Sequence, residues 1–266
     1  MILRPAQGLH AEEVQPYLAN LQPEDASLRS ALDFLLGWDL QTGMDSPQAA
    51  LFEVFWARLV ANTWADHLGY QPSGGGNVAW ATQLLLAQPD NPLWDNPNTD
   101  TTETRDDVLL QSLQEAVAEM TAAQGSDQTA WRWGDLHTAT FVSQPLGQSG
   151  IGLIESLFNG GPVPTSGSWD TINRTNWYTN NGYVVAGSIS SMRMIVDLSN
   201  LDASRSMHTT GQSGHPFSPY YTDMIDPWRL VEYHPMRFGA DSVESGALDH
   251  FTLNPAPADL TAGQGE

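Results

Sequence analysis

Neither cysteine nor lysine occurs anywhere in the 266 residues. Without Cys the chain has no thiolate nucleophile and no thiolate metal site; without Lys it has no Walker-type phosphate loop, no Schiff base and no Ser-Lys dyad. The missing Cys leaves the compartment open, because reducing and oxidising surroundings both tolerate it. Positive charge is scarce too: the ten basic residues are all Arg, set against 31 acidic ones, for a net charge of −21. A phosphate backbone or an anionic bilayer would be repelled at long range, so neither nucleic acid nor membrane is an expected partner. No apolar run approaches the roughly 18 to 20 residues that span a bilayer. The opening Met1–Gly8 lacks the basic start and apolar core of a secretory signal, and the chain reads as soluble or as part of something soluble.

What is present is apolar bulk, with 41% hydrophobic residues and ten Trp, enough for a sizeable core. Residues 11–36 carry two short helical patterns, the second with Leu28, Ala31, Leu32, Leu35 and Leu36 at helical spacing before Gly37. Ser46 as N-cap, Pro47 at the first helical position and Gly69 past the end bracket a long helix burying Phe52, Phe55, Trp56, Leu59, Val60 and Trp64. A helical segment follows over 78–87 after a Gly-rich linker. Thr104 and Asp107 have capping-box spacing ahead of Val108, Leu109, Leu113, Val117 and Met120. After Gly125 the pattern changes, and Trp131–Gly134, Val184–Val185 and the alternating Met192, Met194, Val196 and Leu198 read as strands. The expected division is a mainly helical segment over 1–125, a strand-rich segment over 126–253 completing the same domain, and a frayed tail over 254–266.

Several residue groups offer chemistry, and each has a plainer reading. Gly211-Gln-Ser213-Gly-His215 approaches the Gly-x-Ser-x-Gly nucleophile elbow, but His215 replaces the last Gly and no strand-turn-helix pattern surrounds it, so a structural turn is favoured. His137, His208, His215, His234 and His250 stand among Asp135, Asp223, Asp226 and Asp249 without metal-ligand spacing. The Asp95–Asp107 stretch offers oxygen ligands for calcium but not the pattern of an EF-hand. Arg193 and Asp197 fall on one face of a strand, opposite Met192, Met194 and Val196, as a carboxylate clamp or, preferably, a structural ion pair. The pairs Trp131/Trp133 and Trp169/Trp177 are either stacking platforms or core, and Asn173-Arg-Thr175 matches a glycosylation sequon.

Between Thr209 and Trp228 the chain holds Gly211, Gly214, Pro216, Pro219 and Pro227 among Phe217, Tyr220, Tyr221 and Trp228, which makes an ordered loop whose aromatic side chains pack on something already built. With Arg193–Leu198 before it and Trp228–Phe238 after it, this stretch resembles the C-terminal end of the penicillin acylase family of N-terminal-nucleophile amidohydrolases. Leu36-Gly-Trp38-Asp39, Trp94-Asp95 with Thr102-Glu103, Trp131-Arg-Trp133-Gly134-Asp-Leu-His137 and Gly167–Asp170 resemble further family motifs, in family order, from about Gln7 to Phe238.

The resemblance implies an α+β chain, the C-terminal part of an αββα fold, helical first and then mainly antiparallel strands. It implies amide hydrolysis without a cofactor or metal, by an N-terminal Ser with its α-amino group as base and an Asn in the oxyanion hole. No position here matches that Ser, that Asn or the family's catalytic Arg, so no catalytic residue is assigned and the substrate-binding residues stay unknown. The expected partners are the N-terminal portion of the β chain and the α chain of the same precursor, with a small amide as substrate. By the same analogy the whole enzyme would be periplasmic or extracellular. The competing reading is a standalone acidic, Trp-rich module that binds carbohydrate or peptide.

Overall fold

A computed structural model of the chain describes residues 6–255. Its first half is helical where the apolar spacing is helical: α1 (Leu9–Leu18), α2 (Ala26–Leu36), α3 (Pro47–Leu68), α4 (Gly76–Leu86) and α5 (Arg105–Gln124). The ends follow from side-chain chemistry. The Ser46 hydroxyl accepts the Ala49 N–H at 3.1 Å, and Gly69 leaves α3 at φ 71°, where a Cβ would be strained. Both halves of the Thr104/Asp107 capping box form at the start of α5.

Every residue of α3 from Ala49 to Ala57 is buried, so this helix is the axis around which the others pack. α5 makes its most extensive neighbour, with α2, α4 and a single turn, α6 (Trp133–Leu136), around the rest. The strand expected over Trp131–Gly134 is not there. Trp133 stacks on His137 four residues on, with ring centroids 4.5 Å apart, and the His137 N–H donates to the Trp133 carbonyl at 2.8 Å, a pairing only a helical turn permits.

Two short antiparallel ribbons follow. One pairs β1 (Thr138–Phe141) with β2 (Gly160–Pro164) and carries α7 (Gly152–Phe158) in its connection; the other pairs β3 (Thr175–Trp177) with β4 (Val185–Ile189). Thr175 and Trp177, two apart on β3, share the face that meets the helices, and both are fully buried. The last strands, β5 (Met192–Ile195), β6 (Arg205–His208) and β7 (His234–Pro235), form a sheet in that order, while α8 (Ile225–Arg229) closes the aromatic loop and α9 (Ala240–Gly246) follows β7. The architecture is α+β, helical first and antiparallel afterwards.

The chain divides into two units, Met1–Met192 with His208–Glu232, and Arg193–Met207 with Tyr233–Glu266. The first holds nearly all of the buried apolar side chains. Within it the aromatic loop is ordered by its own turns, the Ser213 N–H donating to the Tyr220 carbonyl at 3.0 Å and the Met224 N–H to the Thr210 carbonyl at 2.8 Å. Trp228 is fully buried edge-on to Phe141, and the Tyr221 hydroxyl donates to the Phe158 carbonyl at 2.7 Å. Phe217 and Tyr220, expected to pack as well, are exposed, because the turns set by Pro216 and Pro219 carry them outward. From residue 256 on, the expected tail lies outside the described residues.

The packing of α5 against α3 makes a first prediction. Leu113→Ala removes a fully buried side chain of α5 and is expected to lower the free energy of unfolding by about 2–5 kcal/mol. Leu84→Ala, on the outer side of α4, is expected to change it by less than about 0.5 kcal/mol. Urea titration of both variants measures the difference; equal effects would contradict the packing described.

Candidate functional site

The polar chemistry of the first unit is concentrated inside it. Glu53 lies in the middle of α3 on the same side as Ala49, Ala50 and Ala57, and those small side chains leave room for a Trp from the strands. Its Oε2 accepts hydrogen bonds from the Ser168 hydroxyl at 2.6 Å and from the Trp177 indole N–H at 2.9 Å. Burial, and secondarily the charge of Asp170, pushes the Glu53 carboxyl up to about 8, so it is protonated at neutral pH.

Asp170 is tied to α1, where its Oδ2 accepts the His10 N–H at 2.6 Å and stands 3.6 Å from the His10 ring nitrogen. That ring stacks on Trp56 with centroids 4.4 Å apart, and burial lowers the His10 pKa although Asp170 works the other way. The Trp56 indole donates to the Gly74 carbonyl at 2.6 Å. Thus a short polar chain runs from α1 through Asp170 and Glu53 to β3.

His137 forms a second buried centre. Its Nδ1 is 2.7 Å from the Tyr183 carbonyl, which can only accept, so Nδ1 carries the proton and Nε2 accepts from the Thr175 hydroxyl at 2.9 Å. Complete burial lowers its pKa to about 4 and keeps the imidazole neutral. Tyr183 itself sits at φ 68°, held through its carbonyl by His137 and through its hydroxyl by Glu119 at 2.8 Å. Glu119 also receives both Nε and Nη2 of Arg58.

The residues singled out from sequence are scattered among these features. Ser213 lines a cleft of about 380 Å³ with Thr140, Thr210, Thr222, Phe158 and Ile225. Its hydroxyl accepts the backbone N–H of His215 at 3.1 Å, while the His215 ring accepts the Phe217 N–H at 3.2 Å. Serine and imidazole therefore each cap a turn, and neither activates the other. Of the other imidazoles, His137 is internal, whereas His208, His234 and His250 are exposed. Among the described residues no three His, Cys, Asp or Glu converge as a metal site, and Asp135, Asp223, Asp226 and Asp249 take no part in one.

The carboxylates between Asp95 and Asp107 knit their own loop. Glu103 accepts from the Asn96 N–H and from the hydroxyls of Thr99 and Thr101, and Asp95 accepts the Glu103 N–H. Trp131, Trp133 and Trp177 are fully buried and Trp169 half-buried, so none of them offers a stacking platform. Asn173 is buried too and donates to the Ser166 carbonyl at 2.9 Å, which closes the sequon to modification in the folded chain. Arg193 is the buried residue of β5, whereas Asp197, expected on the same strand, lies beyond its end at Ile195, where its carboxylate accepts from Ser199 and Asn200.

The sequence reading missed Glu53, His10, Ser168 and Asp170 as one cluster. One signal was present: a lone acid between Phe52 and Val54, within the otherwise apolar run Ala49–Ala57. Its position has a measurable consequence. The Glu53 pKa is raised on folding, so the stability it contributes is complete below the unfolded value near 4.5 and is lost as pH rises towards about 8. His137 works in the opposite sense: its pKa is depressed, and its contribution is lost as pH falls from about 6.5 to about 4. Between pH 6.5 and 8 Glu53 dominates, and the folded chain is expected to lose roughly 1.4 kcal/mol per pH unit. Glu53→Gln keeps an oxygen for both donors and removes the titration, so its melting temperature should be flat across that window. An equal slope in both proteins would show that Glu53 does not titrate as described.

Comparison with known proteins places the chain. A family profile described as Penicillin amidase matches residues 3–245. Acyl-homoserine lactone acylase QuiP of Pseudomonas syringae pv. syringae (strain B728a) is 32% identical over 238 residues, covering 85% of this chain and 28% of that protein. Penicillin acylase 2 proenzyme of Pseudomonas sp. (strain SE83) is 26% identical over 272 aligned positions, covering 94% and 33% respectively. Among solved structures, a thermostable penicillin G acylase from Alcaligenes faecalis superposes with a TM-score of 0.48 at 18% identity, over 95% of this chain and 48% of that one. The chain spans about a third or less of the length of these curated relatives. With the family profile matched over nearly its whole length, the chain belongs to the penicillin amidase family.

Proposed function

We propose that this chain is the C-terminal scaffold of an amidohydrolase that transfers an acyl group from an amide to water, and that the nucleophile is supplied by another part of the acylase. The observation that carries the reading is where the family motifs go. Trp133, His137, Gly167, Ser168 and Asp170 are turned inward and hydrogen-bonded to one another, to the strands or to the helices, and Ser213 and His215 of the more exposed aromatic loop each cap a turn, so these motif residues hold a framework and present no reactive group to a substrate. In an N-terminal-nucleophile hydrolase the attacking group and its base belong to one residue at a chain start, and the remainder of the fold has only to hold that residue and the oxyanion donors in position.

Relatives named as an acyl-homoserine lactone acylase and a penicillin acylase make N-acylated amides the substrate class to test. The portion preceding this one in those relatives is the expected partner, and no cofactor is required. The Trp-rich binding module has less support: of the ten Trp only Trp80 is largely exposed.

The isolated chain is expected to give no turnover on a chromogenic phenylacetyl amide or an N-acyl-homoserine lactone. Grafted into the P. syringae acylase in place of the 238 residues it matches, it should restore hydrolysis, and Ser213→Ala in the graft should leave the rate unchanged. Turnover by the isolated chain, or labelling of Ser213 by a fluorophosphonate, would overturn this reading.

A further inference from the structure

The second unit has almost no interior. Among its described residues Met207 is the one deeply buried apolar side chain, whereas Met194, Ile195, Val196, Leu198, Phe238 and Leu248 are 44–87% exposed. A sheet with that ratio has too little buried apolar area to be held by its own contacts. Strand β5 is the extreme case, because three of its four residues, Met192, Met194 and Ile195, are exposed. Arg193 is its one buried position, and Val196 and Leu198 just beyond its end are exposed as well.

The two edges of the β5-β6-β7 sheet are treated differently. At one edge β7 is two residues long and ends in Pro235, which has no N–H to donate and discourages further pairing. At the other, β5 has neither a Pro nor an outward charge, the features by which sheets protect a free edge.

We propose that the free edge and outer face of β5 seat an extended apolar strand from the remainder of the acylase polypeptide, which adds to the sheet beside β5. This rests on the family reading above, and it names the surface through which the rest of the protein attaches. Relatives about three times as long have chain to supply such a strand. Charge argues against a second copy of this chain as the occupant. Each copy carries −21, with −17 on the first unit and −4 on the second, where seven acids outnumber Arg193, Arg205 and Arg237, so two copies would repel through either unit. The added strand should therefore be β-branched or Leu-rich and uncharged where it crosses Met194 and Val196, joined by backbone hydrogen bonds and apolar contact.

The test uses the isolated chain and the graft into the P. syringae acylase. Met194→Asp and Val196→Asp alter exposed positions, so the melting temperature of the isolated chain should not change. In the graft each should reduce turnover by roughly ten-fold or more, because a carboxylate would have to enter an apolar contact. Amides of residues 193–196 that are not bonded to β6 should exchange quickly in the isolated chain and be protected in the graft, a readout independent of turnover. An active graft that tolerates both substitutions would overturn the β5 assignment and leave the family reading intact. Fast exchange of β5 in the graft would overturn it whether or not the graft is active. Concentration-dependent protection in the isolated chain would do the same, by showing a second copy as the occupant. An inactive wild-type graft with β5 protected would support the surface and count against the catalytic reading.

Discussion

A carboxyl group in the middle of the central helix is the constraint on which the first unit depends. Glu53 has no access to water, and the Ser168 and Trp177 donors satisfy its oxygen only if β3 and the loop before it lie against α3 at one distance and one rotation. An unsatisfied buried carboxyl costs several times what a good hydrogen bond contributes, so the cluster works less as adhesive than as a gauge that admits one arrangement. Asp170 and His10 extend the same logic to α1, and His137 repeats it between α6 and β3. Helices and strands are registered by buried polar groups and then filled in by Trp.

That construction accounts for the character of the family motifs in this chain. Trp-rich, Gly-rich and His-containing signatures invite a catalytic reading, but such residues also stand where no others fit a crowded junction. Gly75 illustrates the point: a Cβ there would collide with the Trp169 ring, and at Gly74 one would press on Trp56 and Trp177. The two units stand in contrast. Both are acidic, but the first is densely filled, whereas the second has its apolar side chains outward. Under the proposed reading the first is a finished support and the second is a surface completed by another part of the protein.

Much of the fold was legible in advance because its signals are local. The Ser46, Thr104 and Gly69 caps act on backbone groups within a few residues, so their spacing placed the ends of α3 and α5 correctly. Alternation around Arg193 placed Met192, Met194 and Val196 on one face, but it could not show that this face points outward. Trp131–Gly134 was misread as a strand because two Trp flanking an Arg imitate alternation, and the helical turn follows from a Trp133–His137 stack that no local pattern announces. The aromatic loop was half understood: Tyr221 and Trp228 pack, while Phe217 and Tyr220 are carried outward by turns.

The amino-acid order by itself determined which chemistry is closed to the chain, where its long helices begin and end, and which family its motifs follow. These depend on residue identity and on neighbours close in sequence. Only the tertiary structure decided that His137 is a neutral strut, that the Ser213 hydroxyl and the His215 ring each cap a turn, and that Glu53, separated from Ser168 by more than a hundred residues, is held in one buried cluster with it. The physical reason is that protonation state and hydrogen-bond partner depend on burial and long-range contact, and neither is specified until the chain has closed on itself.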